Sequence, residues 1–205
     1  MNSTQLISLI LSVGSFLIPL LLGYKKRRTL LWTYIFTGLT FDILIIVFKR
    51  IFHINIFPFA NLYFLTEFLL VSLYYYKNIG REQRYFIYSI SIIVVLYTIQ
   101  TFLHGIGNRN GVGAATFYAI YLLYALWGFF VISKRHLYDI VTQSSFFWVN
   151  VAILLSSSGR VILFLFEDYL TLHQHGHLAT LWVIYRMFNV LINILFAIAL
   201  TRRYE

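Results

Sequence analysis

The chain contains no cysteine, two prolines in 205 residues, and only seven acidic side chains against sixteen basic ones. The first absence excludes disulfide frameworks, thiolate zinc sites, iron–sulfur clusters and cysteine nucleophiles. The scarcity of proline and of low-complexity sequence argues against a disordered chain. Charge as a whole is also scarce. Charged residues make up 11% of the chain and apolar ones 60%, with a mean hydropathy of +0.78. A soluble domain carries roughly 25% charged residues, so this chain cannot clothe itself in a polar shell. The class that remains is an all-α, polytopic membrane protein.

A hydrocarbon core about 30 Å thick takes roughly 20 apolar helical residues. Seven runs reach or approach that length: 5–23, 29–48, 60–76, 84–103, 114–133, 145–166 and 178–200. Short loops join them, so the chain reads as a single seven-helix transmembrane domain over 1–205. The third run is the shortest, and Phe57, Phe59 and Tyr74 to Tyr76 extend it with interfacial aromatics. The first run has no basic segment before it and no small-residue cleavage site, so a retained helix is expected rather than a signal peptide. Alternate loops differ sharply in charge. Lys25, Lys26, Arg27, Arg28, Lys77, Arg81, Arg84, Lys134, Arg135, Arg202 and Arg203 fall on one side, eleven in all, against Lys49, Arg50 and Arg109 on the other. The positive-inside rule then places the N-terminus outside and the C-terminus in the cytoplasm, in a multi-pass inner (cytoplasmic) membrane protein. The net charge of +9 is accounted for by loops facing anionic headgroups. The lipid bilayer is the expected partner, and nucleic acid is not.

Spans 1–3 and 5–7 of such a bundle run in the same directions, which invites the parallel 3+1+3 duplication found in some transporters. Ala60 to Glu67 aligns with Ala179 to Arg186 at an offset of 119, Asp42 lies near Arg160 at 118, and Trp32 near Trp148 at 116. The implied repeats are 5–76 and 114–200, joined by helix 84–103. Identities are few, and the rival reading is that any two membrane spans can be aligned.

Four ionisable side chains lie inside spans: Asp42, Glu67, Arg160 and Arg186. Each costs at least about 2.5–3.5 kcal/mol near a helix centre, so each must face the bundle and find a partner. Counted from the span centres at 1.5 Å per residue, all four fall on the outer side of the midplane, within roughly 2–6 Å of it. Trp182, Arg186, Asn189 and Asn193 recur on one helical face, as do Tyr63, Glu67, Leu70 and Tyr74. Asn150, Ser157 and Arg160 lie close to one face of span 6, beside the run Ser156 to Gly159, and span 5 adds Tyr118, Tyr121 and Tyr124. One reading is two ion pairs plus small-residue packing. The other is a polar site near the midplane, with Asp42, Glu67, Arg160, Arg186, Asn189, Asn193, Trp182 and Tyr63 binding a ligand.

The stretch Glu167, Asp168, His173, His175 and His177 is the cluster of metal-ligand type, and His173, His175 and His177 could hold Zn²⁺, Cu²⁺ or Ni²⁺ with a carboxylate. A polar interfacial loop rich in histidine accounts for the same residues. Span 7 has no lysine, so a retinal Schiff base is not expected. It also lacks the paired histidines of alkaline-ceramidase-type hydrolases. The 3+1+3 plan is similar to that of sugar-transporting Pro-Gln-loop proteins, but Pro19 is followed by Leu20 and Pro58 by Phe59. No phosphate-binding loop, nucleophile elbow or H-E-x-x-H motif occurs. Asn61-Leu62-Tyr63 with Glu67-Phe68-Leu69, Phe147-Trp148-Val149-Asn150, and Leu181-Trp182 with Asn189 and Asn193 carry another likeness. In these the chain resembles small bacterial seven-span membrane proteins, a resemblance that implies a fold and a membrane address and no chemistry.

The functional expectation is a non-enzymatic protein that binds a small solute for transport or sensing. Arg160 and Arg186 would receive an anionic group, since guanidinium binds carboxylate or phosphate in bidentate fashion. A sensor of this size would need a cytoplasmic or membrane protein partner. The alternatives are a membrane-embedded, metal-dependent lipid hydrolase using 167–177, and a scaffold subunit whose charges pair internally.

Overall fold

In lipid an unpaired backbone amide costs several kcal/mol, so a chain of this composition must satisfy its backbone within helices. A computed structural model of the protein describes residues 3–26, 29–79, 83–108, 110–135, 141–173 and 178–202. Among the described residues run seven α-helices: α1 (Ser3–Leu22), α2 (Leu30–Arg50), α3 (Phe57–Ile79), α4 (Gln83–His104), α5 (Gly111–Arg135), α6 (Ser145–His173) and α7 (Leu178–Thr201). Among the described residues five stretches are long and apolar enough to cross a membrane: Leu30–Lys49, Phe57–Ile79, Gly111–Lys134, Ser145–Phe166 and Val183–Thr201. Shorter apolar stretches, Val13–Leu22 and Ile90–His104, lie in α1 and α4. Helix α6 continues to His173, beyond the apolar run ending at 166, because loss of hydropathy does not by itself stop a helix.

The outward faces are apolar. Leu21, Phe36, Leu62, Leu96, Leu123 and Ile162 are all exposed, an arrangement suited to acyl chains rather than water. Hydroxyls on those faces are satisfied within their own helix. Thr40 donates to the carbonyl of Phe36 (2.9 Å), Thr66 to Leu62 (2.8 Å), Ser91 to Ile87 (3.0 Å) and Thr116 to Val112 (3.0 Å).

Helix contacts run from α1 through α2, α3, α5, α6 and α7 and back to α1, closing a ring, while α4 packs outside against α3 and α5. The ring interior is aromatic. Phe68 stacks on Phe117 at 4.4 Å, and Tyr118 on Phe164 at 5.4 Å. The tight α5–α6 approach requires Gly128, since a Cβ there would collide with the Asn150 amide.

Hydrogen bonds pin the two ends of the bundle. At one end Lys26 Nζ donates to the carbonyl of Arg202 (2.5 Å), tying the α1–α2 turn to the end of α7. At the other, Asn55 Nδ2 donates to the Gly107 carbonyl (2.8 Å) and Asn61 Nδ2 to that of Asn108 (2.9 Å). Asn61 Oδ1 accepts from the Asn110 amide (3.3 Å), its carbonyl accepts from Tyr97 (3.2 Å), and Asn110 Oδ1 caps α5 at Gly113 (2.8 Å). Residues 51–56 and 105–108 therefore share one end, opposite Lys26 and Arg202.

Candidate functional site

Glu67 sits near the middle of α3 and is 2% exposed. Three helices converge on its carboxylate. The Tyr34 hydroxyl of α2 donates to Oε1 (2.8 Å), and the Tyr118 hydroxyl of α5 donates to Oε2 (3.0 Å). Arg160 Nη1 of α6 stands 3.6 Å from Oε1. All three are donors, and hydrogen bonds and ion pairs to a carboxylate are stronger than those to a neutral acceptor. Burial does not make such a pair strongly stabilising, but removing one partner strands the other at a cost of about 3–5 kcal/mol.

Arg160, 4% exposed, is held from several sides. Its Nη1 also donates to the Tyr118 hydroxyl (3.5 Å), and its Nη2 donates to Asn189 Oδ1 of α7. The guanidinium carbon lies 5.2 Å from the Tyr118 ring centroid and 5.0 Å from that of Tyr185, both within cation–π range. Its Nε has no hydrogen-bond partner among the described residues.

The structure thus brings together Glu67, Arg160 and Asn189. Asp42 lies half-buried on α2, where Arg186 acts on it most strongly among the charges and Arg160 next. Asn193, one turn along α7 from Asn189, donates to Ser15 Oγ of α1 (2.8 Å) and belongs to the α1–α7 seam. The Tyr63 ring rests against Phe41 (5.3 Å) and Phe64 (6.0 Å). The side chains of Trp182 and His173 fall outside the described residues, as do His175 and His177 altogether. Among the described residues no three His, Asp or Glu side chains form a metal-ligand group.

Tyr34 and Tyr185 are members of the site that the sequence pattern alone did not single out. A signal for Tyr34 was present, since Tyr34, Gly38 and Asp42 recur at i, i+4 and i+8 along one face of α2. The same Tyr34 borders a small apolar cavity on the Lys26 side of Glu67, between α2, α3, α6 and α7, walled by Leu31, Leu70, Tyr74, Ile153 and Phe196. Its free volume of about 10 Å³ is that of a single water. At the node itself the Arg160 cation rests on an internal carboxylate, Glu67. Comparison with protein-family models, curated proteins and solved structures finds no match to this chain.

Proposed function

We propose that the chain is a seven-span inner-membrane protein that binds a small anionic solute at Arg160, with Glu67 as the internal counter-ion that the solute displaces. The N-terminus lies outside and the C-terminus in the cytoplasm, as the eleven-to-three division of basic residues requires. Residues 5–76 and 114–200 are duplicated halves joined by 84–103. Two facts support the duplication. The closed six-helix ring with α4 outside is what two three-helix units related by a two-fold axis produce. In addition, the offsets of 118 and 119 carry Glu67 onto Arg186 and Asp42 onto Arg160. They therefore convert the Glu67–Arg160 pair into an Arg186–Asp42 pair, and Arg186 is the cation acting most strongly on Asp42.

One observation carries the solute reading. Arg160 is fully buried and preformed, held by Asn189 and two tyrosine rings, yet its contact with Glu67 is a loose 3.6 Å and its Nε has no partner among the described residues. A carboxylate or phosphate that took Nε and Nη2 in the bidentate manner of guanidinium would bind more completely than Glu67 does. Binding would then transfer Arg160 from Glu67 to the solute, a change of pairing that moves α6 relative to α3 and serves transport or sensing.

The scaffold reading draws on the same closed pair, which leaves the bundle neutral at Glu67 and Arg160 without any ligand. Thermal unfolding of the purified protein with acetate, succinate and inorganic phosphate separates the two. The solute reading predicts stabilisation by at least one of them, about 2.7 kcal/mol at a hundredfold excess over Kd, and its loss in a folded Arg160→Lys variant. No stabilisation by any of the three, or the same stabilisation in Arg160→Lys, favours the scaffold.

A further inference from the structure

Between Glu67 and the Lys26–Arg202 end, a column of buried hydroxyls descends where α3, α5 and α6 meet. Directly below the Glu67–Tyr118–Arg160 level come Tyr121 and Ser157, at 3% and 1% exposure. Tyr121 lies 5.5 Å from the Tyr118 ring and within electrostatic reach of Glu67 and Arg160. Next come Ser72 and Tyr124, whose hydroxyls lie close enough to interact. Below them Tyr75, its ring 5.2 Å from that of Tyr124, donates to Asn150 Oδ1 (2.9 Å). Ser145, 2% exposed, opens α6 at the bottom. From Glu67 to Tyr75 is eight residues of α3, about 12 Å of rise, in steps that single bridging waters would span, and from Asn150 to Ser145 is a further five residues of α6, about 7.5 Å.

Two features mark this column as more than packing. The hydroxyls of Tyr121, Ser157 and Ser145 have no hydrogen-bond partner among the described residues, although phenylalanine or alanine would fill the same space. Buried hydroxyls of this kind are ordinarily satisfied by internal water. The lining also changes across Glu67: directly above it the same three helices present Phe64, Ala114, Phe117 and Phe164, with Phe64 and Phe164 edge to face at 5.4 Å, before the polar Asn61–Asn110 cluster at that end.

We propose that this column is a proton path linking the Lys26–Arg202 end of the bundle to Glu67. Each hydroxyl oxygen accepts a proton while its own O–H proton passes onward, since hydroxyls and water both donate and accept. One proton leaves the aqueous phase near Ser145, one O–H bond forms on the Glu67 carboxylate, and no electron changes hands. The groups facing Glu67 are Tyr34 and Asp42 of α2, Tyr63 of its own helix, Tyr118 and Tyr121 of α5, and Arg160 of α6, with Tyr185 of α7 beside Arg160 and Arg186 of α7 acting on Asp42. Tyr97 of α4 is committed to the Asn61 carbonyl. Protonating Glu67 releases Arg160 from its counter-ion. Resting on the proposed anion site at Arg160, proton entry and anion entry are then coupled, one for one.

The test is rapid-scan infrared spectroscopy after an acid jump on the protein in nanodiscs, with no solute added. Wild type is predicted to develop a protonated-carboxyl band that Glu67→Gln removes. Tyr121→Phe and Ser157→Ala, which delete hydroxyls without a partner among the described residues, are predicted to slow its rise at least tenfold in one or both while leaving its final amplitude unchanged. Thr101→Val, at the opposite end, is predicted to leave the rate unaltered. The path is overturned if wild type shows no band sensitive to Glu67→Gln, if neither variant slows it, or if Thr101→Val slows it equally. Because no anion takes part, loss of the anion-site reading leaves this result standing, and the reverse also holds.

Discussion

Replacing Glu67 with glutamine removes one charge from the buried node and leaves Arg160 without its carboxylate. Truncating one member of a buried pair costs about 3–5 kcal/mol. The lower end applies to this pair, because Arg160 keeps Asn189, the Tyr118 hydroxyl and two ring faces. The glutamine carbonyl can also still accept from Tyr34. A loss of about 3 kcal/mol is predicted, or roughly 6–12 °C in Tm at 2–4 °C per kcal/mol. Glu67→Gln combined with Arg160→Gln abolishes both charges and should cost only about 1–2 kcal/mol, giving a coupling energy well above the roughly 0.5 kcal/mol expected of independent sites. Glu67→Gln combined with Arg186→Gln should be additive, whereas Asp42→Asn should couple to Arg186→Gln. The assay is thermal unfolding in detergent across these double-mutant cycles. Additivity of Glu67 with Arg160, or coupling of Glu67 to Arg186 instead, would refute the pairing of Glu67 with Arg160 and of Asp42 with Arg186.

Gly128→Ala is predicted to destabilise by about 1–3 kcal/mol, since its Cβ meets Asn150 and breaks the Tyr75 hydrogen bond; the same unfolding assay checks this, and Asn150→Ala should restore part of the loss. Asn61→Ala removes the partners of Asn108 and Asn110 and should cost about 1–3 kcal/mol, with faster amide exchange at the start of α5. Replacing His173, His175 and His177 together by glutamine should leave folding and bound metal unchanged; stoichiometric zinc or copper that vanishes in this variant would instead support the hydrolase. Reporter fusions after Lys26, Gly80 and His136 should read cytoplasmic and those after His53, Asn108 and His175 external, and any single inverted fusion contradicts the seven-span topology.

Much of the helical layout was legible because apolar run length is a coarse signal that lipid enforces. The run at 29–48 became α2 at Leu30–Arg50, and that at 114–133 became α5 at Gly111–Arg135. Helix α6 outran its apolar run because the stretch Glu167 to His173, although it brings in Glu167, Asp168, Thr171 and His173, contains no proline or glycine to stop a helix. Buried charge was equally legible, since an acid or arginine in a span has few places to go. Pairing was not. Depth along the helices placed Asp42, Glu67, Arg160 and Arg186 in one slab, but the ring order that sets Glu67 against Arg160 is a property of packing between helices distant in sequence. In the sequence Tyr118 is one of three tyrosines along α5, and its bond to Glu67 depends on how α5 is rotated toward α3. Asn193 shared a face with Asn189, yet one helical turn was enough to send it to Ser15 of α1 instead.

The central claim is that Glu67 and a solute anion compete for Arg160. Isothermal titration of wild type, Glu67→Gln and Arg160→Gln tests it most directly, with whichever of acetate, succinate and inorganic phosphate stabilises the wild-type protein. Removing the internal competitor is predicted to tighten binding at least tenfold in Glu67→Gln, about 1.4 kcal/mol, and removing the cation to abolish it in Arg160→Gln. Unchanged or weaker binding in folded Glu67→Gln, or binding that survives in Arg160→Gln, contradicts the account.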